Sequence, residues 1–139
     1  MRTAWEQHFD REHRAAVDLA ASEASALADA MSFYLRRRFL GSELELSAQA
    51  LALRCLTAVS ERLTSLAAAD LGGLLVLSED ELRGVREALC LYVAERDTES
   101  YQPPEERDRL RELRGLNEPL GDLLAQLPRA PVPATFALR

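Results

Sequence analysis

The stretch ELELSAQALALRCLTAVSERLTSLA, residues 43–67, decides the fold class that the sequence predicts. Its apolar residues recur at alternating spacings of four and three, which is the period of an amphipathic helix. One apolar face comprises Leu44, Ala48, Leu51, Cys55, Val59, Leu63 and Leu66, and a second face comprises Leu46, Ala50, Leu53 and Leu56. A helix that is apolar on two sides is typical of the centre of a bundle or of a contact with another subunit.

The segment before this helix, residues 3–40, contains no Gly or Pro and is rich in Ala, Leu, Glu and Arg. Its composition and the spacing of Trp5, Phe9, Ala16 and Ala20 predict a helix. One unbroken helix of this length would measure about 57 Å, whereas a compact domain of this size has a radius of gyration of roughly 14 Å. We therefore expect the segment either to bend near residues 21–26 or to project and be covered by a partner chain.

Helix boundaries are marked by capping residues. Gly41 is suited to the left-handed position that ends the first helix. Ser42 with Glu45, and Ser78 with Glu81, match the S-x-x-E capping box that begins a helix. The second of these boxes predicts a third helix that ends near residue 97.

Glycine and proline mark the remaining breaks. Two glycines at residues 72–73 end the second helix, and residues 74–77 are expected to form a turn or a short extended piece. Pro104 suits the first turn of a fourth helix. Pro119 is expected to break that helix and leave a short fifth one that ends near residue 127. The sequence thus predicts an all-α bundle of four to five helices over residues 1–127, with a long N-terminal helix and a Pro-rich tail, residues 128–139, that is extended or disordered.

Composition and charge limit the classes of function. The net charge is −6, which opposes non-specific binding to nucleic acid, and no apolar stretch is long enough to cross a membrane. The N-terminus lacks the apolar core of a signal peptide, so we expect a cytoplasmic protein. All 17 basic residues are arginine and none is lysine, a bias that we interpret as the mark of a GC-rich bacterial genome.

The run Arg36, Arg37 and Arg38 is the densest basic patch and a candidate anion-binding site. Successive helical residues are turned by about 100°, so three in a row spread around the helix and cannot form one stripe. Arginines are also favoured in the last turn of a helix, where the backbone carries partial negative charge. The favoured interpretation is a solvated helix end, and nucleic-acid binding remains an alternative.

Glu6, Asp10 and His13 lie at spacings of four and three, which would place them on one face of the predicted first helix. Carboxylates and imidazole at this spacing are metal ligands, and helical di-iron proteins use a related pattern. Carboxylates such as Glu61 or Glu95 would have to complete the site. Since the chain has only two histidines, an exposed charged face is the simpler interpretation.

The two cysteines, Cys55 and Cys90, imply no disulfide framework. If the second and third helices are antiparallel neighbours, both thiols lie about 17 Å from the turn that joins them. We predict that both are buried, reduced and at the same height in the bundle.

The first hypothesis is a non-catalytic helical protein–protein interaction module, homodimeric, with no cofactor and an unidentified partner. Its interface is predicted at the second apolar face, through Leu46, Leu53 and Leu56. The alternatives are a metal-dependent helical enzyme that uses Glu6, Asp10 and His13, and a nucleic-acid-associated protein that uses the three arginines. A polyproline ligand at residues 128–131 is a weaker possibility, because that pattern is common by chance.

Overall fold

The structure is a computed structural model that describes residues 2–7, 13–39, 47–98 and 101–126 of the 139-residue chain. Over these ranges the chain is mostly helical, with four helices and a three-stranded antiparallel sheet. The elements are β1 (Arg2–Gln7), β2 (His13–Leu19), α1 (Ala21–Phe39), α2 (Ser47–Ala68), β3 (Gly73–Ser78), α3 (Glu79–Asp97) and α4 (Pro104–Ala125). The predicted predominance of helix is confirmed. The prediction that extended structure is confined to one short piece is wrong, because a sheet forms one layer of the fold.

The first segment of the chain forms a β-hairpin and a helix in place of one long helix. β1 pairs antiparallel with β2, from Arg2 opposite Asp18 to Gln7 opposite His13. The cause is visible in β2, where Ala15, Val17 and Leu19 are at most 1% exposed and belong to the hydrophobic core. Ala16 is buried at 6% exposure but lies outside that core, and Asp18 is exposed. This alternation has a period of two, as expected for a strand with one face on the core. Alanine fits a helical pattern as well, so its spacing did not distinguish the two.

β2 is the central strand, because β3 pairs antiparallel with its other side and gives the order β1-β2-β3. The buried residues of β3, Leu75 and Leu77, lie opposite Val17 and Ala15 and join them in the core cluster with the helices. Leu74 is on the opposite face and is 58% exposed. The helices therefore cover one face of the sheet. Of the two forms expected for residues 74–77, a turn or a short extended piece, the extended one is observed and forms the centre of β3.

α1 begins directly after the hairpin and has 19 residues, about 28 Å at 1.5 Å per residue. The side chain of Glu23 accepts a hydrogen bond from the backbone N–H of Ala20 at 2.8 Å, which satisfies one donor that the first turn leaves unpaired. The first segment therefore forms no overlong helix, because β1 and β2 occupy the part before residue 20 and the helix begins only at Ala21. Ser42 and Glu45, the first predicted capping box, lie outside the described residues, as does Gly41.

The predicted start of α3 is confirmed in atomic detail. Ser78 is the N-cap residue, its side chain accepts from the backbone N–H of Glu81 at 3.2 Å, and Glu81 accepts from the N–H of Ser78 at 2.9 Å. Pro104 is in the first turn of α4, as predicted. The predicted tail, residues 128–139, lies outside the described residues.

Pro119 does not break α4, contrary to the prediction, and the helix continues from Pro104 to Ala125. A proline inside a helix removes one hydrogen bond and costs about 3 kcal/mol. Leu116, Leu120 and Leu123 on both sides of it are at most 2% exposed. Burying large aliphatic side chains contributes about 1.5–3 kcal/mol each, enough to offset the cost of the proline.

None of the helices in the described ranges is long and apolar enough to cross a membrane. Their apolar faces are directed inward to a single cluster that includes residues of all four helices, of β2 and of β3.

Gly72 is the residue on which the turn into β3 depends. It has a φ of 69°, and a Cβ atom built there would lie 2.0 Å from the backbone oxygen of Leu19. We therefore expect Gly72→Ala to lower the free energy of unfolding by at least about 1–3 kcal/mol, as measured by urea denaturation.

Gly115→Ala is the matched control. Gly115 lies inside α4, and an added Cβ would meet no atom within 4 Å. This substitution should raise the free energy of unfolding by about 0.5–1 kcal/mol, because alanine loses less conformational entropy than glycine in a helix. Equal effects of the two substitutions would contradict the strained conformation at Gly72.

Candidate functional site

A cluster of polar side chains ties α1, α3 and α4 together. The hydroxyl of Tyr92 donates to Glu106 Oε1 at 2.7 Å, and Arg109 Nη1 donates to the same oxygen at 2.9 Å. Arg109 Nε also reaches Asp29 Oδ2 of α1 at 2.8 Å. The cluster joins one residue of α1, one of α3 and two of α4, so it fixes the relative positions of the three helices.

The cluster shifts the pKa values of its members. Burial raises the pKa of Tyr92, and the hydrogen bond to the Glu106 carboxylate raises it further. Burial acts to raise the pKa of Glu106 as well. The hydrogen bonds from Tyr92 and Arg109, together with the charges of Arg109 and Arg96, outweigh that effect and lower it. Glu106 is therefore an ionised acceptor with partners of its own and is poorly suited to act as a general acid.

Aromatic contacts extend the cluster toward the C-terminal half of α1. The rings of Phe33 and Tyr92 meet edge to face, with centroids 5.4 Å apart and planes at 88°. The guanidinium of Arg96 lies 5.3 Å from the centroid of Phe33 and 5.1 Å from that of Tyr92. Both arrangements are attractive because the ring face is negative and its edge positive. These contacts stabilise the packing of α1 on α3.

A cleft of about 330 Å³ lies between α3 and α4. Leu89 and Val93 give it an apolar wall, and an ion pair between Asp97 and Arg114 bridges the two helices beside it. Its remaining lining residues are Cys90, Ala94 and Asn117. The volume is at the lower end of the range for small-molecule sites. A shallower hollow of about 200 Å³ lies between α1 and α4, where Ser22 Oγ donates to Glu112 at 2.8 Å.

The predicted burial of the two cysteines is wrong, because Cys55 and Cys90 are both exposed. Cys90 lines the cleft and its thiol donates to Asn117 Oδ1 at 3.4 Å. In α2 the residues that enter the core are Leu56, Val59 and Leu63. The buried stripe therefore passes through Leu56 at the position where the sequence pattern favoured Cys55, one residue and about 100° away.

The predicted metal site loses its geometric basis, because Glu6 and His13 belong to two antiparallel strands and not to one helix. Glu6 lies opposite Arg14, and His13 lies opposite Gln7. Asp10 lies outside the described residues. Within the described ranges, His, Cys, Asp and Glu side chains form no group of three or more that could hold a metal ion. Glu95, proposed to complete the site, pairs with Arg37 at 2.7 Å.

The three arginines lie in the last turn of α1, as predicted for a basic helix end. Arg37 contacts Glu95 of α3, and its guanidinium lies 6.0 Å from the ring centroid of Phe33. Arg36 and Arg38 are exposed. The basic run therefore contributes a contact between α1 and α3 through Arg37, and nucleic-acid binding by the run remains a hypothesis.

The three leucines predicted to form a dimer interface have different environments. Leu56 is 8% exposed and packs inside the chain, where a Cβ atom added to Gly84 of α3 would lie 2.6 Å from its Cδ2. Leu53 is half-buried, and Leu46 lies outside the described residues. Leu56 packs in the chain's own core, so at least this part of the second apolar face of α2 is buried within the chain and is not available to a partner.

The feature that sequence reasoning missed is the edge of the sheet at β1. β1 has six residues, and β2 is its one neighbour in the described sheet. Trp5 anchors the strand to α4, because its indole N–H donates to the backbone oxygen of Leu123 at 2.6 Å. The alternation of Ala15, Val17 and Leu19 in the next strand was the one signal that could have revealed the hairpin.

In comparisons with known proteins, no family model, curated protein or solved structure matches this chain.

The first prediction from this site concerns pH. The ordinary pKa of Glu106 is 4.5 and the folded value is lower, so its stabilising effect is present above the ordinary value and is lost as the pH falls through the folded one. Glu106→Gln should lower the free energy of unfolding by about 1–3 kcal/mol near neutral pH and by less in acid. Urea denaturation at several pH values measures this. Glu105→Gln, at the exposed neighbouring position, should have little effect.

The second prediction concerns the thiols. In single-cysteine variants, Cys55 and Cys90 should both react with a thiol reagent in the native protein, at rates within about tenfold of those in the unfolded chain. Asn117→Ala should speed the labelling of Cys90 alone, because it removes the acceptor of the thiol hydrogen bond. Protection of both thiols until the protein unfolds would contradict their exposure.

Proposed function

We propose that this protein is a non-catalytic protein–protein interaction module that works as a homodimer, in the cytoplasmic setting expected from its sequence. The observation that supports this proposal is the unequal protection of the two edges of the sheet. At the β3 edge, Arg62 of α2 donates from Nη1 to the backbone oxygen of Val76 at 2.8 Å and also pairs with Glu81. A charged side chain that occupies backbone groups is one way in which proteins block an edge strand.

Among the described residues, the backbone of β1 pairs with β2, the indole of Trp5 bonds to α4, and no side chain is described on the outer backbone groups of β1 as Arg62 is on those of β3. An edge strand with unpaired N–H and C=O groups is a template for another strand. Addition of a strand is a recurrent mode of protein recognition, in which main-chain hydrogen bonds supply affinity. A second copy of the chain offers such a strand at equal concentration and in a symmetric arrangement.

This proposal moves the dimer contact from α2, where the sequence pattern placed it, to β1. Leu56→Glu would put a charge into the chain's own core and should unfold the protein, so it cannot serve as a test of dimerisation. A contact through one strand of six residues buries less area than a standard stable interface. We therefore expect a dissociation constant in roughly the micromolar range.

Light scattering coupled to size exclusion tests the proposal. The mass should rise toward twice the 15.5 kDa of the chain as the protein concentration increases from about 1 to 200 μM. A mass equal to one chain over the whole range would overturn the homodimer.

A further inference from the structure

The direction of the backbone groups in β1 follows from a contact on the far side of the sheet. The oxygen of Val76 accepts from Arg62, so the N–H and C=O groups of Val76 point away from β2. Residues directly opposite each other in an antiparallel pair either exchange both hydrogen bonds or exchange none. Val76 and its partner Ala16 therefore form a pair that exchanges none, and the groups of Ala16 point toward β1.

A second contact supports the same assignment. A Cβ atom at Gly72 would lie 2.0 Å from the oxygen of Leu19, so the Leu19 oxygen points toward the β3 side. Leu19 and Ala16 are three residues apart, and backbone groups alternate sides along a strand. The backbone N–H and C=O groups of Ala16 must then point toward β1.

The outward groups of β1 can now be named. Ala16 lies opposite Ala4, so Ala4 exchanges its hydrogen bonds with β2. Its neighbours Thr3 and Trp5 have their N–H and C=O groups on the open edge, as has Gln7. A strand added to this edge must form its hydrogen bonds with these three residues.

Two copies of β1 related by a two-fold axis can pair in only a few registers that match these groups. One register places Thr3 opposite Trp5 and Ala4 opposite Ala4. The others place Thr3 opposite Thr3, Trp5 opposite Trp5, Glu6 opposite Glu6, or Gln7 opposite Gln7. Only the first places Arg2 opposite Glu6 and Glu6 opposite Arg2, which pairs opposite charges at both ends of the strand. Opposite charges that face each other across strands are stabilising, and like charges are destabilising.

We propose that two copies of this chain pair antiparallel through β1 in the register that sets Ala4 opposite Ala4 of the second copy. The two three-stranded sheets become one sheet of six strands. The Thr3–Trp5 pair occurs twice about the axis and exchanges the hydrogen bonds, and the Arg2 position of each copy lies opposite the Glu6 position of the other. The inference rests on the proposed homodimer and specifies its interface.

The choice of a second copy as the occupant rests on this self-complementarity. Arg2 and Glu6 are equidistant from Ala4, so only an antiparallel copy centred on Ala4 pairs both charges with their opposites. A parallel copy in register would place like charges opposite each other. Ala4 is exposed and small, so two such residues can approach across the axis.

Disulfide trapping tests the register. In a chain with Cys55→Ser and Cys90→Ser, both of which alter exposed positions, Ala4→Cys should form a covalent dimer on mild oxidation. Opposite residues of a pair without mutual hydrogen bonds have Cα atoms about 4.5 Å apart, within the range of a disulfide. Thr3→Cys in the same background should not cross-link, because its two copies would be about 8 Å apart. Cross-linking of Thr3→Cys but not of Ala4→Cys would overturn the register.

Proline substitutions test the backbone assignment. Thr3→Pro removes an N–H that points to the open edge, so the chain should fold with an unchanged circular dichroism spectrum while its dissociation constant rises at least about tenfold. Ala4→Pro removes an N–H bonded to β2 and should lower the stability of the fold itself. A dimer of unchanged affinity with Thr3→Pro would overturn the interface.

A charge exchange tests the flanking pairs. Arg2→Glu or Glu6→Arg alone should weaken the dimer by about tenfold, because each places like charges opposite each other at both ends. Within the chain, Arg2 lies opposite Asp18 and Glu6 lies opposite Arg14. The variant R2E/E6R/R14E/D18R restores opposite charges both within the chain and across the axis, and it should recover most of the affinity.

The outcomes separate this inference from the proposed function. A dimer that Ala4→Cys does not trap and Thr3→Pro does not weaken would overturn the β1 interface and leave the homodimer standing. A chain that stays monomeric and does not cross-link would overturn both.

Discussion

The pairing of β2 with β3 is the contact on which the rest of the structure depends. Leu19, at the end of β2, lies opposite Gly73, at the start of β3, and the chain between them forms α1 and α2. Both helices pack on the side of the sheet where Val17 and Leu75 present an apolar face. Gly72 permits the close approach, because any side chain there would meet the Leu19 oxygen. β1 can then pair with the remaining side of β2.

Two kinds of contact stabilise the helical layer, and they respond differently to substitution and to pH. Leucines of α3 and α4 fill the core without polar atoms, so losing one costs burial and cavity energy. The cluster of Tyr92, Glu106, Arg109 and Asp29 stands at the edge of that core and depends on ionisation as well as on packing. Beside it, the cleft between α3 and α4 leaves Cys90 accessible to solvent. The same pair of helices therefore supplies both core leucines and a cleft that is open to solvent.

The two edges of the sheet differ in how their backbone groups are protected. Arg62 shields the backbone of β3, and α2 holds that arginine in place. The opposite edge presents the backbone groups of Thr3 and Trp5 in an orientation that the β3 contacts determine. In the described ranges, a side chain protects the β3 edge and none is described on the β1 edge. Under the proposed function, strands add on one side only, which favours a closed dimer over an indefinite sheet.

The sequence by itself determined the features that depend on neighbouring residues. The capping box of Ser78 and Glu81, the position of Pro104 and the extended piece before α3 were all predictable, because each is set by residues within one or two turns. Only the tertiary structure decided the strands β1 and β2, since their alanines fit a period of two or of 3.6 and β3 had to be in place to favour the former. Packing likewise carried α4 through Pro119 and selected Leu56 over Cys55 for the core. In these cases local preferences differ by about 1–3 kcal/mol, and the burial of several leucines outweighs them.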